Sequence, residues 1–208
     1  MKVAKYYSRQ DIRLEEVPVP EIGAGEILVR VAACGLCGSD LMEWYVREKA
    51  PVVLGHEPAG TITAAGTDVR DFQVGDRVFV HHHVPCFVCH HCLRGYYTLC
   101  ETFKSTHLDP GGFAEYVRVP ALNVARDVLR LPPGMSYVAA TMIEPVATCI
   151  RGIERANVQT GDTVIVLGAG VTGLIHLQLC RLFGAAKVVV TDFSDYRLGV
   201  ARQLGADL

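Results

Sequence analysis

The chain has 208 residues, half of them hydrophobic by type, and its 20 basic residues nearly balance 22 acidic ones to leave a formal net charge of -2. This length allows one large domain, or one domain and part of a second, at about 100 to 200 residues each. The near balance of charge, with no run of lysine or arginine, argues against a nucleic-acid partner. No apolar stretch reaches the roughly 18 residues of a membrane span, and the charged N-terminus has no secretory signal, so a cytoplasmic protein is expected.

The first part of the chain, to about residue 119, has the pattern of an irregular β-barrel. Short apolar runs of strand length are separated by Gly, Pro and Asp turn residues, and they read ILVRVAA, GTITAAG, GDRVFV and FAEYVRV. After a Leu-Pro-Pro-Gly breaker, an apolar helical pattern is predicted from Tyr137 to Ile153, with Ser136 as its N-cap.

The last part of the chain has the pattern of one βαβ unit followed by a further helix. A buried-type strand TVIVLG precedes a helix from about Val171 to Phe183 that Gly184 closes, and a second strand KVVVTD precedes a helix that starts at Ser194. The change of pattern predicts a domain boundary near residues 149–152, which gives domains of residues 1–150 and 151–208.

Four cysteines form the strongest single signal in the sequence. They follow the pattern C-x2-C-x2-C-x7-C in a stretch with little apolar sequence to build a core, and they are Cys86, Cys89, Cys92 and Cys100. Four thiolates close a tetrahedral zinc shell without an open position, which predicts a structural site. The ferredoxin iron-sulfur motif begins with the same spacing, but its fourth cysteine follows three residues later and precedes proline, whereas here Glu101 follows.

A second, dispersed set of candidate metal ligands consists of Cys37, His56, Glu57 and Glu144. Sulfur, nitrogen and oxygen donors together suit zinc. By spacing alone, Cys34 and Cys37 form a C-x2-C pair, which is equally compatible with a redox dithiol or with half of a zinc site. The residues by themselves leave these alternatives open.

A glycine-rich loop follows the strand TVIVL directly and opens the next helix. Its residues are Gly168, Ala169, Gly170, Val171, Thr172 and Gly173. In this context the G-x-G-x-x-G pattern predicts dinucleotide binding, with backbone N–H groups near Val171 and Thr172 facing the pyrophosphate and Asp192 accepting from the ribose hydroxyls. A 2′-phosphate would meet that carboxylate with like charge, so NAD is favoured over NADP, although Arg197 lies close in sequence.

The other histidines and cysteines receive no assigned role. The tract His81–His83 lies at the end of the GDRVFV strand, where neighbouring side chains alternate between faces, so one of them could contact substrate or the four-cysteine segment. His107 and His176 have no partner that the sequence identifies. Cys149 and Cys180 fall on apolar helix faces and are expected in the core.

The motifs together resemble those of zinc-containing medium-chain dehydrogenases. The run GHEPAGTITAAGTDV resembles the family signature, and ACGLCGSD, GDRV, the cysteine segment, GGFAEY, Glu144-Pro145 and the glycine loop follow in family order across essentially the whole chain. The Glu-Pro pair is similar to the sorbitol and L-threonine dehydrogenase branch. The chain departs from that branch at Met42, where a histidine of a proton relay is usual, so a relay through this residue is impossible.

The resemblance implies an α/β and β architecture, a GroES-like irregular β-barrel catalytic domain followed by a Rossmann dinucleotide-binding domain. The zinc ligands that it implies are Cys37, His56 and one glutamate, either Glu57 or Glu144. Cys34 becomes a packing residue. Ser39 is expected to hydrogen-bond the reacting oxygen and pass on its proton, and Asp40 to orient the histidine ligand. An arginine at the place of Arg197 contacts the adenosine end of the cofactor in the related enzymes.

The function that follows is a zinc-dependent oxidoreductase. Hydride would pass from a secondary alcohol, either a polyol or a hydroxy amino acid, to NAD, with one catalytic and one structural zinc per chain. The expected partners are a small-molecule alcohol and, for the full-length protein, identical subunits in a dimer or tetramer, with no nucleic acid and no membrane. The alternatives are a non-enzymatic zinc-binding scaffold and a zinc-free reductase of the quinone-reductase type.

The chain is also expected to be an incomplete enzyme. A doubly wound dinucleotide fold has about six parallel strands, and the sequence offers only TVIVLG and KVVVTD before it ends at Leu208. We therefore expect no measurable NAD-dependent turnover from these residues alone.

Overall fold

The computed structural model describes residues 1–207. These fall into two compact units, residues 1–143 and residues 144–207. The predicted boundary after residue 150 lies a few residues further on, inside a helix that begins at Ile143. No helix among the described residues is long and apolar enough to cross a membrane.

The first unit is built on two antiparallel sheets. Its strands are β1 (Lys2–Ser8), β2 (Asp11–Glu16), β3 (Ile27–Gly35), β4 (Val52–Val53), β5 (Glu57–Ala65), β6 (Arg77–Val80), β7 (Tyr116–Val119) and β8 (Val128–Arg130). The larger sheet has the order β7-β3-β5-β6-β8 and the smaller has the order β2-β1-β4. The four strands predicted for this part of the chain correspond to β3, β5, β6 and β7, so those predictions are confirmed.

Alternation along the strands of the larger sheet produces the core of the first unit. In β3, Ile27 and Val29 are fully buried while Arg30 is exposed, as a half-buried strand requires. They pack with Ile62 of β5 and with apolar residues of β6 and β7. Short helices connect the strands, namely α1 (Glu43–Val46), α2 (His90–Leu93), α3 (Glu101–Ser105), α4 (Ala121–Arg126) and α5 (Tyr137–Ala140), with 3-10 turns at Gly38–Leu41, Arg47–Lys49 and Tyr97–Leu99.

The predicted continuous helix from Tyr137 to Ile153 is wrong in one respect, because the structure interrupts it. Helix α5 ends at Ala140 and a new helix, α6, spans Ile143–Ala156. Pro145 has no N–H to donate to the carbonyl of Thr141, and its ring would clash with that carbonyl in a continuous helix. The predicted N-cap is confirmed, since the hydroxyl of Ser136 accepts from the N–H of Ala139 at 3.0 Å.

The second unit holds α6, a parallel pair of strands and two further helices. Strand β9 (Thr163–Leu167) precedes α7 (Val171–Leu182), and β10 (Lys187–Thr191) precedes α8 (Asp195–Gln203). The two strands pair in parallel, as the predicted βαβ unit requires. Gly184 follows α7 with a φ of +93°, and the hydroxyl of Ser194 accepts from the N–H of Arg197, so both predicted helix ends are confirmed.

Strands β3 and β5 of the larger sheet approach each other closely at Gly60. A Cβ at this position would collide with the backbone carbonyl of Arg30 and reach 2.9 Å from a methyl carbon of Val29. We expect Gly60→Ala to lower the free energy of unfolding by about 1–3 kcal/mol through overpacking, measured by denaturant titration. The control is Gly38→Ala, whose Cβ would meet no atom within 4 Å; equal destabilisation by the two variants would contradict this reasoning.

Candidate metal centres and dinucleotide loop

The four predicted cysteines of the first unit lie together around one point. Their Sγ atoms all lie within 4.8 Å of one another, with separations of 3.9 Å between Cys86 and Cys92, 3.5 Å between Cys89 and Cys92, and 3.6 Å between Cys100 and Cys86. At the usual Zn–S length, the edge of a ZnS₄ tetrahedron is about 3.8 Å. In an iron-sulfur cluster the four thiolates are divided among two or four irons and do not all surround one point. The sulfur atoms therefore fit a single tetrahedral ion.

The backbone favours the thiolate forms of Cys86 and Cys100, whereas burial raises the pKa of Cys92 to about 12. The N–H of Cys86 donates to the sulfur of Cys100, and the N–H of Cys89 donates to the sulfur of Cys86. Hydrogen bonds from the backbone lower the pKa of Cys100 to about 5, and similar bonds lower the pKa of Cys86. All eight cysteines of the chain are free, so no disulfide competes for these ligands.

Strand pairing assembles the second group of candidate ligands in the first unit. The last pair between β3 and β5 joins Gly35 to Glu57. Cys37 follows β3 by two residues and His56 directly precedes β5, so the pairing brings both to the same end of the sheet. The donor atoms of Cys37, His56 and Glu57 lie within 4.8 Å of one another.

Two details of packing support this arrangement. A Cβ on Gly35 would collide with a carboxylate oxygen of Glu57, so only glycine leaves room for that buried side chain. Cys34 lies against the backbone of Gly55 and Gly112, and burial raises the pKa of its thiol to about 12. Cys34 thus packs as a neutral thiol, which fits its expected role.

Asp40 holds both Cys37 and His56. Its side chain is buried, one oxygen accepts from the N–H of Cys37 at 3.1 Å, and the other lies 3.5 Å from Nδ1 of His56. Burial lowers the pKa of His56, but hydrogen bonds and charge from Asp40 and Cys37 outweigh burial and raise it to about 9. A carboxylate at Nδ1 leaves Nε2 as the ligand atom, which is the usual support of a metal-binding histidine.

Three other predicted residues have different positions. Ser39 is half-buried on the same 3-10 turn as Asp40. Met42 ends that turn and is 45% exposed, and its thioether cannot carry a proton. Glu144 belongs to the first turn of α6 in the second unit, so its role as a ligand stays a prediction.

The glycine loop of the second unit has the geometry of a phosphate-binding turn. Gly168 follows β9 with a φ of +101°, and Gly170 is the N-cap of α7, where no side chain covers the free N–H groups. A Cβ on Gly173 would collide with the carbonyl of Gly168. The glycines therefore permit a tight turn, and the N-terminus of α7 is open to an anion.

Asp192 is tied to this loop. Its Oδ2 accepts from the N–H of Ala169 at 2.8 Å, and its Oδ1 accepts from the N–H of Ser194 at 2.9 Å. These bonds, that of Ala169 first, lower the pKa of the carboxyl. The guanidinium of Arg197, 3.7 Å away, is 57% exposed. A carboxylate and a guanidinium thus lie side by side at the end of β10.

The sequence analysis missed one cluster in the first unit. His82, His83 and His107 bring three imidazole nitrogens within 4.8 Å of one another. The alternation expected in a strand does not apply to the tract, because β6 ends at Val80. His107 lies in a loop 25 residues after His82, and no local pattern in the sequence predicts the contact between them.

Comparison with known proteins agrees with the motifs. The sequence profile of the alcohol dehydrogenase GroES-like domain matches residues 23–133. The chain is 38% identical to sorbitol dehydrogenase of Bacillus subtilis (strain 168) over 216 residues, which cover 99% of the chain and 60% of that protein. It is also 38% identical to L-threonine 3-dehydrogenase of Pyrococcus abyssi (strain GE5 / Orsay) over 201 residues, covering 93% of the chain and 56% of that protein.

A solved structure of similar fold is a zinc-binding dehydrogenase from Sinorhizobium meliloti 1021 bound to NADP. It superposes with a TM-score of 0.86 and 34% sequence identity, covering 99% of this chain and 60% of that one. The chain thus spans about three fifths of the length of such proteins, and the predicted fold class is confirmed for that part. The chain belongs to the alcohol dehydrogenase GroES-like family, in the zinc-containing branch of the sorbitol and L-threonine dehydrogenases.

Proposed function

We propose that the protein carrying this chain is a zinc- and NAD-dependent dehydrogenase of secondary alcohols. The observation that carries the proposal is the convergence of Cys37, His56 and Glu57 on one point, with the buried carboxylate of Asp40 behind His56. Thiolate, imidazole and carboxylate together suit zinc. A three-ligand site also leaves a position for substrate, in contrast to the closed four-cysteine site.

Zinc and NAD would supply the chemistry that side chains lack. Zinc would polarise an alcohol so that its proton leaves near neutral pH, and the nicotinamide ring of NAD would accept hydride. The residues of the chain hold and orient. Asp40 fixes the ring of His56. Because Gly35 has no side chain, the carboxylate of Glu57 can reach the point at which Cys37 and His56 converge. Ser39, on the turn between Cys37 and Asp40, is proposed to accept a hydrogen bond from the alcohol at its Oγ and to take up the alcohol proton as its own hydroxyl proton passes to the cofactor ribose or to solvent.

The proposed substrates are polyols and hydroxy amino acids. This choice rests on similarity to a sorbitol dehydrogenase and an L-threonine 3-dehydrogenase. Both compounds in these names, sorbitol and L-threonine, contain a secondary alcohol flanked by polar groups. It is tested by screening such alcohols with NAD and following the absorbance of NADH, using the protein that carries this chain. Turnover of simple monohydric alcohols alone would contradict the proposal.

The preference for NAD is part of the proposal. The carboxylate of Asp192 accepts hydrogen bonds from backbone N–H groups and is held ionised, so a 2′-phosphate beside it would meet like charge. Two observations favour NADP instead. The similar dehydrogenase from Sinorhizobium meliloti 1021 is bound to NADP, and the guanidinium of Arg197 is exposed beside Asp192. We give more weight to Asp192, because its carboxylate is held by two backbone N–H groups, whereas the side chain of Arg197 is 57% exposed and lies 3.7 Å from that carboxylate.

A zinc-binding scaffold without activity is the second candidate, since the closed site alone would suffice for it. The complete ligand set at Cys37, His56 and Glu57 favours the enzyme. Homo-oligomerisation and a cytoplasmic location stay predictions.

Removing one cysteine of the closed site should remove one ion. We expect Cys92→Ser to reduce the zinc content by about one ion per chain and to loosen residues 86–100, because three ligands no longer close the shell. Elemental analysis and limited proteolysis measure these changes, and NAD affinity should be unaffected. Cys149→Ala, at a buried cysteine of the second unit, is the control and should keep the full zinc content. An unchanged zinc content in Cys92→Ser would contradict the assignment of the four cysteines as a zinc site.

The open site should respond to loss of its thiolate in both metal content and rate. We expect Cys37→Ser to lose the second zinc and to lower kcat/KM at least about 100-fold, because Lewis-acid catalysis contributes several kcal/mol. Full metal content together with full activity in Cys37→Ser would refute the assignment. Comparing Glu57→Gln with Glu144→Gln then identifies the third ligand as the one whose removal releases more zinc.

Cofactor preference should depend on the charge of Asp192. We expect Asp192→Asn to narrow the difference between NAD and NADP affinities about tenfold or more. The amide oxygen still accepts from Ala169 and only the bond from Ser194 is lost, while the negative charge that repels a 2′-phosphate is gone. Asp192→Gly should narrow it too but also weaken both cofactors, since the loop loses its hydrogen bond. Isothermal titration calorimetry measures both. Equal affinities in the unmutated chain would show that Arg197 decides instead.

A further inference from the structure

The histidine cluster of the first unit lies outside the two sites described above. His82 and His83 follow the end of β6, and His107 lies in the loop after α3. Nε2 of His82 and Nδ1 of His107 are 3.2 Å apart, and the ring of His83 lies 4.4 Å from that of His82 and 5.4 Å from that of His107 between centroids. Three nitrogens thus converge.

Their spacing suits a tetrahedral ion. At a Zn–N length of about 2.0–2.1 Å, two nitrogens on one tetrahedral edge are about 3.3–3.4 Å apart. The 3.2 Å between His82 and His107 is close to this value. The same comparison holds for the sulfur atoms of the four-cysteine site.

The orientation and charge of His83 also favour metal binding. Its Nδ1 lies 2.7 Å from the carbonyl oxygen of Thr106, so Nδ1 carries the proton and Nε2 keeps its lone pair. Metal-binding histidines commonly donate to a backbone carbonyl in this way. Burial lowers the pKa of His83 to about 4 and that of His82 to about 2, and it also lowers the pKa of His107. An ion would therefore meet neutral ligands at neutral pH.

Helix α4 holds the histidine tract in place. The fully buried amide of Asn123 donates to the carbonyls of His81 and His82 at 2.8 and 3.2 Å. The carboxylate of Asp127 lies 2.6 Å from Nδ1 of His81. The backbone from which His82 and His83 extend is thereby fixed before any ligand binds, and His107 is exposed to solvent and gives an entry path.

Two groups oppose an ion here. The ammonium of Lys49, which lies over the ring of Tyr45, is a positive charge that acts on His83 and His107. The N–H of Leu108 donates to Nδ1 of His82 at 3.4 Å, and an ion on Nε2 would require a proton on Nδ1 instead. This long bond, and the hydrogen bond between Nε2 of His82 and Nδ1 of His107 at 3.2 Å, must both break when the ion binds. The cluster should accordingly bind more weakly than either thiolate site and fill last.

We propose that His82, His83 and His107 form a third metal site, which takes a divalent transition-metal cation such as Zn²⁺ through three imidazole nitrogens and a water molecule. The site shares no ligand with the open centre, although the two adjoin, with the rings of His82 and His56 6.4 Å apart between centroids. It does not depend on the proposed dehydrogenase activity.

The test is a Co²⁺ titration of the metal-free full chain, followed by visible absorption. Ions at the cysteine site and at Cys37 give sulfur-to-cobalt charge-transfer bands, whereas an ion held by three imidazoles gives only d–d bands. We expect two equivalents with charge transfer and then a third, weaker one without it. His107→Asn should lose only the third equivalent, and its retained charge-transfer bands show that the chain is folded.

The matched control is His90→Asn. The exposed ring of His90 lies 3.7 Å from that of His91 between centroids, tilted by 40°, and the two form a pair near the surface that could hold adventitious metal. This variant should leave all three equivalents in place. With Zn²⁺ in place of Co²⁺, the Leu108 amide signal in NMR should shift only during the third equivalent. Saturation at two equivalents, or a third that survives in His107→Asn but disappears in His90→Asn, would overturn the proposal.

Discussion

The register between β3 and β5 is the constraint on which the open site depends. The pair formed by Gly35 and Glu57 sets how far Cys37 lies from His56, and a shift by one residue would turn every side chain of β5 to the opposite face. Burial of Ile27, Val29 and Ile62 opposes such a shift. The proposed ligands are therefore brought together by the folding of an apolar sheet, and a metal ion would complete a geometry that already exists.

Local patterns carried most of what the sequence could predict. Strands with one buried face, a serine at a helix start, a glycine at a helix end and closely spaced cysteines each depend on neighbours within a few residues. For that reason β3, β5, the cap at Ser194, the end of α7 at Gly184 and the convergence of the four cysteines were all predictable. The open ligand set needed more, and only resemblance to a family joined Cys37 to His56.

The features that were missed depend on contacts between distant segments or on exposure. The hairpin of β1 and β2 has a largely solvent-exposed second strand, with Leu14 80% exposed, so no alternation marks it. The break before α6 follows from Pro145, a residue that helices tolerate in their first turn. The histidine cluster requires a loop to carry His107 to His82. The buried amide of Asn123 donates to two backbone carbonyls of the histidine tract, and no sequence pattern links Asn123 to that tract.

The hydrogen bond from Ala169 to Asp192 couples two properties that are often treated as separate, the selectivity for a cofactor and the stiffness of the loop that holds it. A lineage that adapts to a phosphorylated cofactor by replacing this aspartate with a residue that has no side-chain acceptor, such as glycine, also loses an anchor of its phosphate loop. Such a change is therefore favoured only after, or together with, a second substitution that supplies another acceptor for the Ala169 N–H. For replacements without such an acceptor, the evolution of cofactor use is expected to proceed by paired substitutions, and single-site redesign should reach an intermediate that binds neither cofactor well.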